Sequence, residues 1–146
     1  MNKDITGKFF GTWRLVSCVA ETTDGQRIYT FGRNAQGRAN FEPGRFSFHV
    51  LNPDRPKFSS ADPREATEQE VRAAFAGYLA YYGSFSVDKD AGTIVNHVEA
   101  ASIPNWVGSD QVRYYRFEND RLILRTTPML RDGVELVSTL TWERLT

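Results

Sequence analysis

Short runs of alternating apolar and polar residues, separated by turn residues, are the feature that most constrains this 146-residue sequence. Such alternation places every second side chain on one face of an extended strand. Pairs such as Asp24-Gly25 and Pro43-Gly44 mark where strands end. The pattern predicts strands at residues 11–21, 27–31, 37–41, 45–51, 84–87, 93–101, 111–117, 122–127 and 134–145.

About nine strands at this spacing predict a meander, which is typical of a barrel or a sandwich. A closed barrel also removes the exposed edges that a meander would otherwise leave. No internal repeat, low-complexity tract or linker divides the sequence. We therefore expect residues 1–146 to form a single domain: a mainly β, antiparallel up-and-down barrel of about 8–10 strands.

One segment in the middle of the sequence has the pattern of a helix instead. Thr67 and Glu70 have the spacing of a capping box, which marks a helix start. Apolar residues then recur at steps of four, three and four, at Val71, Phe75, Tyr78 and Tyr82. We predict a helix over residues 68–81 that covers an open barrel end, preceded by a long loop over residues 52–66 across one rim.

Charge and apolar content exclude several classes of partner. Lys plus Arg equals Asp plus Glu, at 18 each, so the basic excess expected of a nucleic-acid-binding protein is missing. No polybasic run favours a membrane surface, and no stretch approaches the ~20 apolar residues that span a bilayer. Residues 1–7 lack the apolar core of a secretory signal, so we expect a cytoplasmic protein. Cys18 is the sole cysteine, which precludes an intramolecular disulfide.

Motifs at both ends and in the middle of the chain resemble a known family. Gly11-Thr12-Trp13 is similar to the Gly-x-Trp signature of the first lipocalin strand, and Arg144 to an arginine of the last strand. The longer ordered set resembles the bacterial and fungal lipocalin-like domain family over almost the whole chain: Gly11 to Ser17, Asn52-Pro53-Asp54-Arg55-Pro56, His97-Val98-Glu99, Pro104-Asn105-Trp106-Val107-Gly108 and Gln111-Val112-Arg113.

The resemblance implies a lipocalin-like barrel and a structural role for two residues. Arg144 would pack over Trp13 and close the barrel base through a cation–π contact worth about 0.5–2 kcal/mol. Members of the family are similar to small barrel proteins encoded beside enzymes of secondary metabolism and catabolism, which implies substrate binding or an auxiliary conversion. The middle Thr-Asp-x-x-Tyr-like motif of secreted lipocalins is not apparent, so their binding properties are not transferred.

Three polar residues are candidates for catalysis. His97 and Glu99 are two apart on a predicted strand, roughly 6.5–7 Å, so both can meet one ligand. A histidine exchanges protons near neutral pH, and burial can raise the pKa of a carboxylate. With Arg113 as an anion stabiliser, the set would support enolisation, isomerisation or cyclisation. The alternative is a hydrogen-bonded structural group or a solvent-facing pair.

Other polar and aromatic residues are candidates for ligand contacts. Asn105 and Trp106 form a predicted rim loop, and Trp106 offers a flat apolar surface with one donor. The alternative is that Trp106 is a core residue and Asn105 caps a turn. The remaining predicted ligand contacts are His49, Tyr78, Tyr82 and Tyr115, for which core or wall packing is the alternative. We predict neither a metal site nor a cofactor, since no Cys/His/Asp spacing or glycine-rich phosphate loop is present.

Two functions from different classes follow from these features. The first is the binding of a small, largely apolar metabolite inside the barrel, because about eight strands enclose enough space for one small ligand. The second is a cofactor-independent isomerase, cyclase or lyase that uses His97 and Glu99 as acid and base beside Arg113. The ligand, the oligomeric state and the strand faces that point inward are not determined by the sequence.

Overall fold

The computed structural model describes residues 5–145 and consists of antiparallel strands with one α-helix. The helix is α1 (Glu68–Ala76), and short 3-10 turns cover Ile5–Phe9, Pro63–Glu65 and Pro104–Trp106. The strands are β1 (Gly11–Thr22), β2 (Arg27–Ile28), β3 (Gln36–Glu42), β4 (Arg45–Leu51), β5 (Tyr78–Asp88), β6 (Thr93–Ala101), β7 (Asp110–Glu118), β8 (Arg121–Thr126), β9 (Met129–Arg131) and β10 (Val134–Arg144).

The sheet closes on itself to form a barrel. Its strand order is β2-β1-β3-β4-β5-β6-β7-β8-β10-β9, and β1 also pairs with β10. Eight strands therefore form the ring, while β2 and β9 extend β1 and β10 as short hairpin partners. The expected antiparallel barrel is confirmed. Within the described residues, β9 was not predicted, and β2 ends three residues before the predicted end of its strand.

Strict alternation in β3 and β4 supplies much of the core. Ala39 and Phe41 on β3, and Phe46, Phe48 and Val50 on β4, are all buried, while most of the residues between them are exposed. The two strands pair in register, so these side chains stack as neighbours on the inner face. Large buried aromatic side chains of this kind account for much of the apolar area that stabilises a small barrel.

An aromatic cluster and one cation close the base of the barrel. The 3-10 turn at the N-terminal end places Phe9 in the interior, where its ring lies 5.0 Å from that of Phe117 and 5.4 Å from that of Phe41. The Arg144 guanidinium lies 4.2 Å from the centre of the Trp13 ring and donates to two backbone carbonyls. The structure thus has the Trp13–Arg144 contact that the family resemblance implies.

The predicted helix is correct at its start and wrong at its end. The Thr67–Glu70 capping box is present in both directions, so α1 begins as expected. Gly77 caps the helix after Ala76, and the next residues pair with β4 as β5 instead of continuing to residue 81. Strand pairing outweighed the helical spacing of the aromatic residues, because Tyr, Phe and Val are also strand formers.

The helix and the long loop before it lie together at one end of the barrel. The Ser59 backbone N–H donates to the Glu70 carboxylate, and the Asn52 N–H donates to the Gly77 carbonyl. Arg55 donates from Nη1 to the Ala74 carbonyl, 3.2 Å away, and stacks 4.9 Å from the centre of the Tyr78 ring. Loop and helix are therefore joined at both ends.

We predict that Gly83→Ala destabilises the barrel. An added Cβ would lie 1.9 Å from the His97 backbone carbonyl oxygen, where β5 and β6 pass a register shift. Because backbone must move to relieve this overlap, we expect a loss of about 1–3 kcal/mol or more in the free energy of unfolding. Urea unfolding followed by tryptophan fluorescence measures it.

Gly7→Ala is the control, because its added Cβ meets nothing within 4 Å. An unfolding midpoint for Gly83→Ala equal to that of Gly7→Ala would contradict the close strand approach.

Candidate functional site

A cavity of about 300 Å³ lies inside the barrel, above the aromatic base cluster and next to α1. Side chains from α1, the Pro104–Trp106 turn and seven strands line it, together with residues that follow β2 and β6. The lining residues are Cys18, Thr30, Phe31, Phe48, Val50, Phe75, Ala76, Tyr78, Leu79, Tyr81, Ile103, Trp106, Arg113, Leu124, Thr126, Met129, Leu130, Arg131, Leu136, Ser138, Leu140 and Trp142.

Aromatic and aliphatic side chains dominate the wall. The Phe48 ring stacks 5.8 Å from Trp142 and packs 5.2 Å from Tyr81, while Trp106 meets Tyr81 edge-on at 5.2 Å. The described wall residues thus present flat apolar surfaces on at least two sides. Such a wall suits a small, largely apolar molecule with a planar portion.

Arg113 is a buried, charged residue in the wall of the cavity. Its side chain points inward from β7 and is only 7% exposed. Nη1 donates to the Val112 carbonyl at 3.0 Å, and Nη2 donates to the Gln111 side-chain oxygen at 3.4 Å. Both acceptors are neutral, so these bonds leave the charge of the guanidinium uncompensated.

Two further polar groups surround Arg113. Burial raises the pKa of the Tyr81 phenol, and the nearby positive charge of Arg113 opposes that rise. Asn96, on the inner face of β6, is fully buried, and its amide lies close enough to Tyr81 to oppose the rise as well. Within residues 5–145, neither the nitrogen nor the oxygen of that amide has a partner in hydrogen-bond geometry.

The predicted catalytic set is wrong in its geometry. On β6, Ile94, Asn96 and Val98 are buried and point inward, so His97 and Glu99 face the outside of the barrel. Arg113 faces the inside. The sheet therefore separates His97 and Glu99 from Arg113, and the three side chains cannot meet one substrate.

His97 instead joins a surface network. Its Nδ1 lies 2.7 Å from Asp110 Oδ1, and its Nε2 lies 3.1 Å from Ser86 Oγ. This is the order of a Ser–His–Asp triad. The imidazole is 41% exposed and the carboxylate 60%, and none of these residues lines the cavity inside the barrel. The group therefore matches the structural alternative, a hydrogen-bonded cluster that links neighbouring strands.

The predicted ligand contacts divide into two groups. Tyr78 and Trp106 line the cavity. Asn105 is exposed at the rim, and Tyr82 is exposed on the outer face of β5, away from the cavity lining. His49 is also on the outer face, where its Nδ1 lies 3.0 Å from the Tyr78 hydroxyl.

Tyr115 is the remaining predicted contact, and it belongs to the base of the barrel. Its ring packs 5.2 Å from Phe9 and 5.8 Å from Phe117, below the cavity. The main residues that sequence reasoning missed are Asn96 and Trp142. The two buried apolar neighbours of Asn96, Ile94 and Val98, are the signal that would have identified the inner face of β6.

Residues 5–145 contain neither a cluster of metal-binding side chains nor a membrane-spanning helix. No group of three or more His, Cys, Asp or Glu side chains is placed to hold a metal ion. No helix in this part of the chain has the length and apolar character needed to cross a membrane.

The chain belongs to the lipocalin-like domain family, whose model matches residues 10–145. A curated relative is the 4'-hydroxy-3'-methoxypropiophenone carrier protein of Aspergillus oryzae. It is 35% identical over 106 residues, and the match covers 68% of this chain and 96% of the relative.

Two solved structures align with most of this chain at low sequence identity. A lipocalin-like protein from Bacteroides uniformis is 14% identical with a TM-score of 0.49, and the match covers 95% of this chain and 100% of that one. The fatty acid transporter REP1-NXSQ is 11% identical with a TM-score of 0.42, and the match covers 96% and 98% of the two chains.

We predict that the Cys18 thiol in the cavity wall reacts slowly while the protein is folded. Burial raises its pKa from the ordinary 9.0 to about 11, so the thiolate fraction near pH 8 falls about a hundredfold. Reaction with an aromatic disulfide reagent measures this rate. It should rise steeply as the pH approaches 11 and become fast in urea at pH 8. A folded-state rate equal to that of free cysteine would place Cys18 outside the buried wall.

Proposed function

We propose that this protein binds and carries a small, largely apolar molecule inside its barrel. The observation that carries the proposal is the cavity of about 300 Å³. The aromatic base cluster around Phe9 closes it below, and aromatic and aliphatic side chains form its wall. Small-molecule sites span about 300–1,000 Å³, so this cavity fits a ligand at the small end of that range.

The expected ligand class is a small aromatic metabolite. Phe48, Tyr81, Trp106 and Trp142 provide the flat wall surfaces that a planar ring would contact. The name of the Aspergillus oryzae relative describes it as a carrier of an aromatic ketone with hydroxyl and methoxy groups, which agrees with this class. Of the sequence-predicted site residues, we retain Trp106 and Arg113 as ligand contacts, while Tyr78 borders the cavity and directs its hydroxyl toward His49 on the outer face.

Carriage, without conversion, is the function that the geometry favours. An isomerase, cyclase or lyase using His97 and Glu99 would need both groups beside the bound molecule, and they lie on the opposite side of the wall from Arg113. A cytoplasmic location is part of the proposal, and the unpaired, buried Cys18 is compatible with a reducing compartment.

We expect Ser138→Phe to weaken ligand binding by at least about tenfold. Ser138 lines the cavity from β10, and a phenyl ring there would occupy space that the ligand needs. A tenfold loss corresponds to about 1.4 kcal/mol. Fluorescence titration with N-phenyl-1-naphthylamine, and its displacement by 4'-hydroxy-3'-methoxypropiophenone, give the two affinities.

Ser86→Phe is the matched control, because Ser86 is exposed on the outer face of β5. Equal loss in both variants, or no probe binding by the wild-type protein, would overturn the proposal. Retained binding in Ser138→Phe, with the fold verified by circular dichroism, would move the site away from this cavity.

We also expect His97→Asn and Glu99→Gln to leave probe affinity within about twofold of the wild-type value. Both side chains lie outside the barrel, and neither lines the cavity. Trp106→Ala is the comparison variant: loss of this aromatic side chain from the wall should weaken binding by at least about tenfold, given about 1.5–3 kcal/mol for a large buried apolar side chain. If His97→Asn weakened binding as much as Trp106→Ala, His97 would belong to the site.

A further inference from the structure

Arg113 is a buried cation without a counter-ion among residues 5–145. No Asp or Glu in this range lies within ion-pair distance of its guanidinium, although five arginines elsewhere in the range pair with glutamates. A buried charge is strongly unfavourable unless an opposite charge and hydrogen bonds compensate for it. The guanidinium also presents a planar fork of donors that matches an oxygen anion.

The other residues of the cavity wall also leave the Arg113 charge without an anionic partner. Among the described residues that line the cavity, Arg113 and Arg131 are cationic and none is a carboxylate. Arg131 is exposed near the mouth, and Arg113 is buried inside. The cavity is therefore apolar over most of its wall and electropositive in sign. A neutral hydrocarbon bound in the cavity would leave the Arg113 charge without a partner.

Near Arg113, the buried amide of Asn96 also lacks hydrogen-bond partners within residues 5–145. The Asn96 amide is completely buried without a partner in hydrogen-bond geometry, and it lies beside the Tyr81 phenol. A buried amide without partners is costly, so such groups in native proteins are satisfied by water or by a ligand. Tyr81 lines the cavity and lies within the influence of both Arg113 and Asn96. The three side chains form one polar patch, which we call the Arg113 patch.

We propose that the molecule carried in the barrel bears an ionised oxygen group, a carboxylate or a phenolate, which pairs with Arg113 while the remaining apolar part contacts the aromatic wall. The Tyr81 hydroxyl donates to the same oxygen group, and Asn96 supports Tyr81 from behind. This inference rests on the proposed function and adds the charge of the ligand to it.

Two matched ligand pairs test the charge. The first is 6-phenylhexanoate against 6-phenylhexan-1-ol, which share a skeleton and differ in the carboxylate. The second is 4'-hydroxy-3'-methoxypropiophenone against 3',4'-dimethoxypropiophenone, measured above the pKa of the phenol. Displacement of N-phenyl-1-naphthylamine gives each affinity. We expect the charged member of at least one pair to bind at least about tenfold more tightly, and which pair it is distinguishes a carboxylate from a phenolate.

Three variants assign that preference to Arg113. Arg113→Met should bring the ratio of the two affinities within each pair close to one, because it replaces the unpaired buried charge by an apolar chain of similar length. Arg113→Lys should keep part of the preference, since the charge stays but the fork of donors is lost. Arg116→Gln is the matched control: it lies on the same strand, is exposed and pairs with Glu118 on the outer face.

The outcomes separate the two levels of the proposal. Tight binding of the probe and of both members of each pair, with equal affinity, would overturn the charge assignment and leave the proposed function intact. Failure of every compound, probe included, to bind would overturn both. If Arg113→Met did not fold, Arg113→Lys would decide: an unchanged preference relative to wild type would contradict recognition through the guanidinium fork, and a reduced preference would support it.

Discussion

Pairing between the first and the last strand of the ring is the constraint on which the rest of this structure depends. The β1–β10 ladder runs from Trp13 opposite Arg144 to Thr22 opposite Leu136, and it turns an open sheet into a barrel whose eight ring strands are paired on both sides. Closure gives every ring strand an inner face. It also brings Arg144 over Trp13, so that the base is sealed by aromatic packing while the other end stays open to a cavity.

The sequence predicted the architecture well because alternating apolar and polar residues, together with turn residues, indicate the number and spacing of the strands. It predicted the inward faces less well, since two register shifts interrupt the alternation. Between Leu15 and Ser17 the pairing shifts, so the buried positions change from Trp13 and Leu15 to Cys18 and Ala20. A similar shift lies between β5 and β6, where Glu99 of β6 is the extra residue opposite the step from Tyr82 to Gly83. Counting every second residue along a strand no longer predicts which side chains face inward once such an irregularity has been passed.

For the candidate site, too, the sequence predicted some residues correctly and failed where the facing direction of a strand mattered. Trp106, Tyr78 and Arg113 were identified from residue type and position, and all three line the cavity. His97 and Glu99 were chosen for their chemistry, on a strand whose two faces both mix polar and apolar residues. Ile94 and Val98 mark the inner face of this strand, but the apolar Val95 on the other face weakens that local signal, so neighbouring strands decide the facing direction. The buried Asn96 was overlooked because an isolated amide between apolar residues gives no chemical motif.

The loop–helix unit at the open end separates the contacts that hold it in place from those that line the cavity. Arg55 links the end of α1 to the Tyr78 ring, and Glu70 holds both the helix start and the Ser59 backbone. Arg55, Ser59 and Glu70 do not line the cavity, whereas Phe75 and Ala76 of the same unit do. A substitution at Arg55 or Glu70 can thus loosen the open end of the barrel while the residues of the cavity wall stay the same.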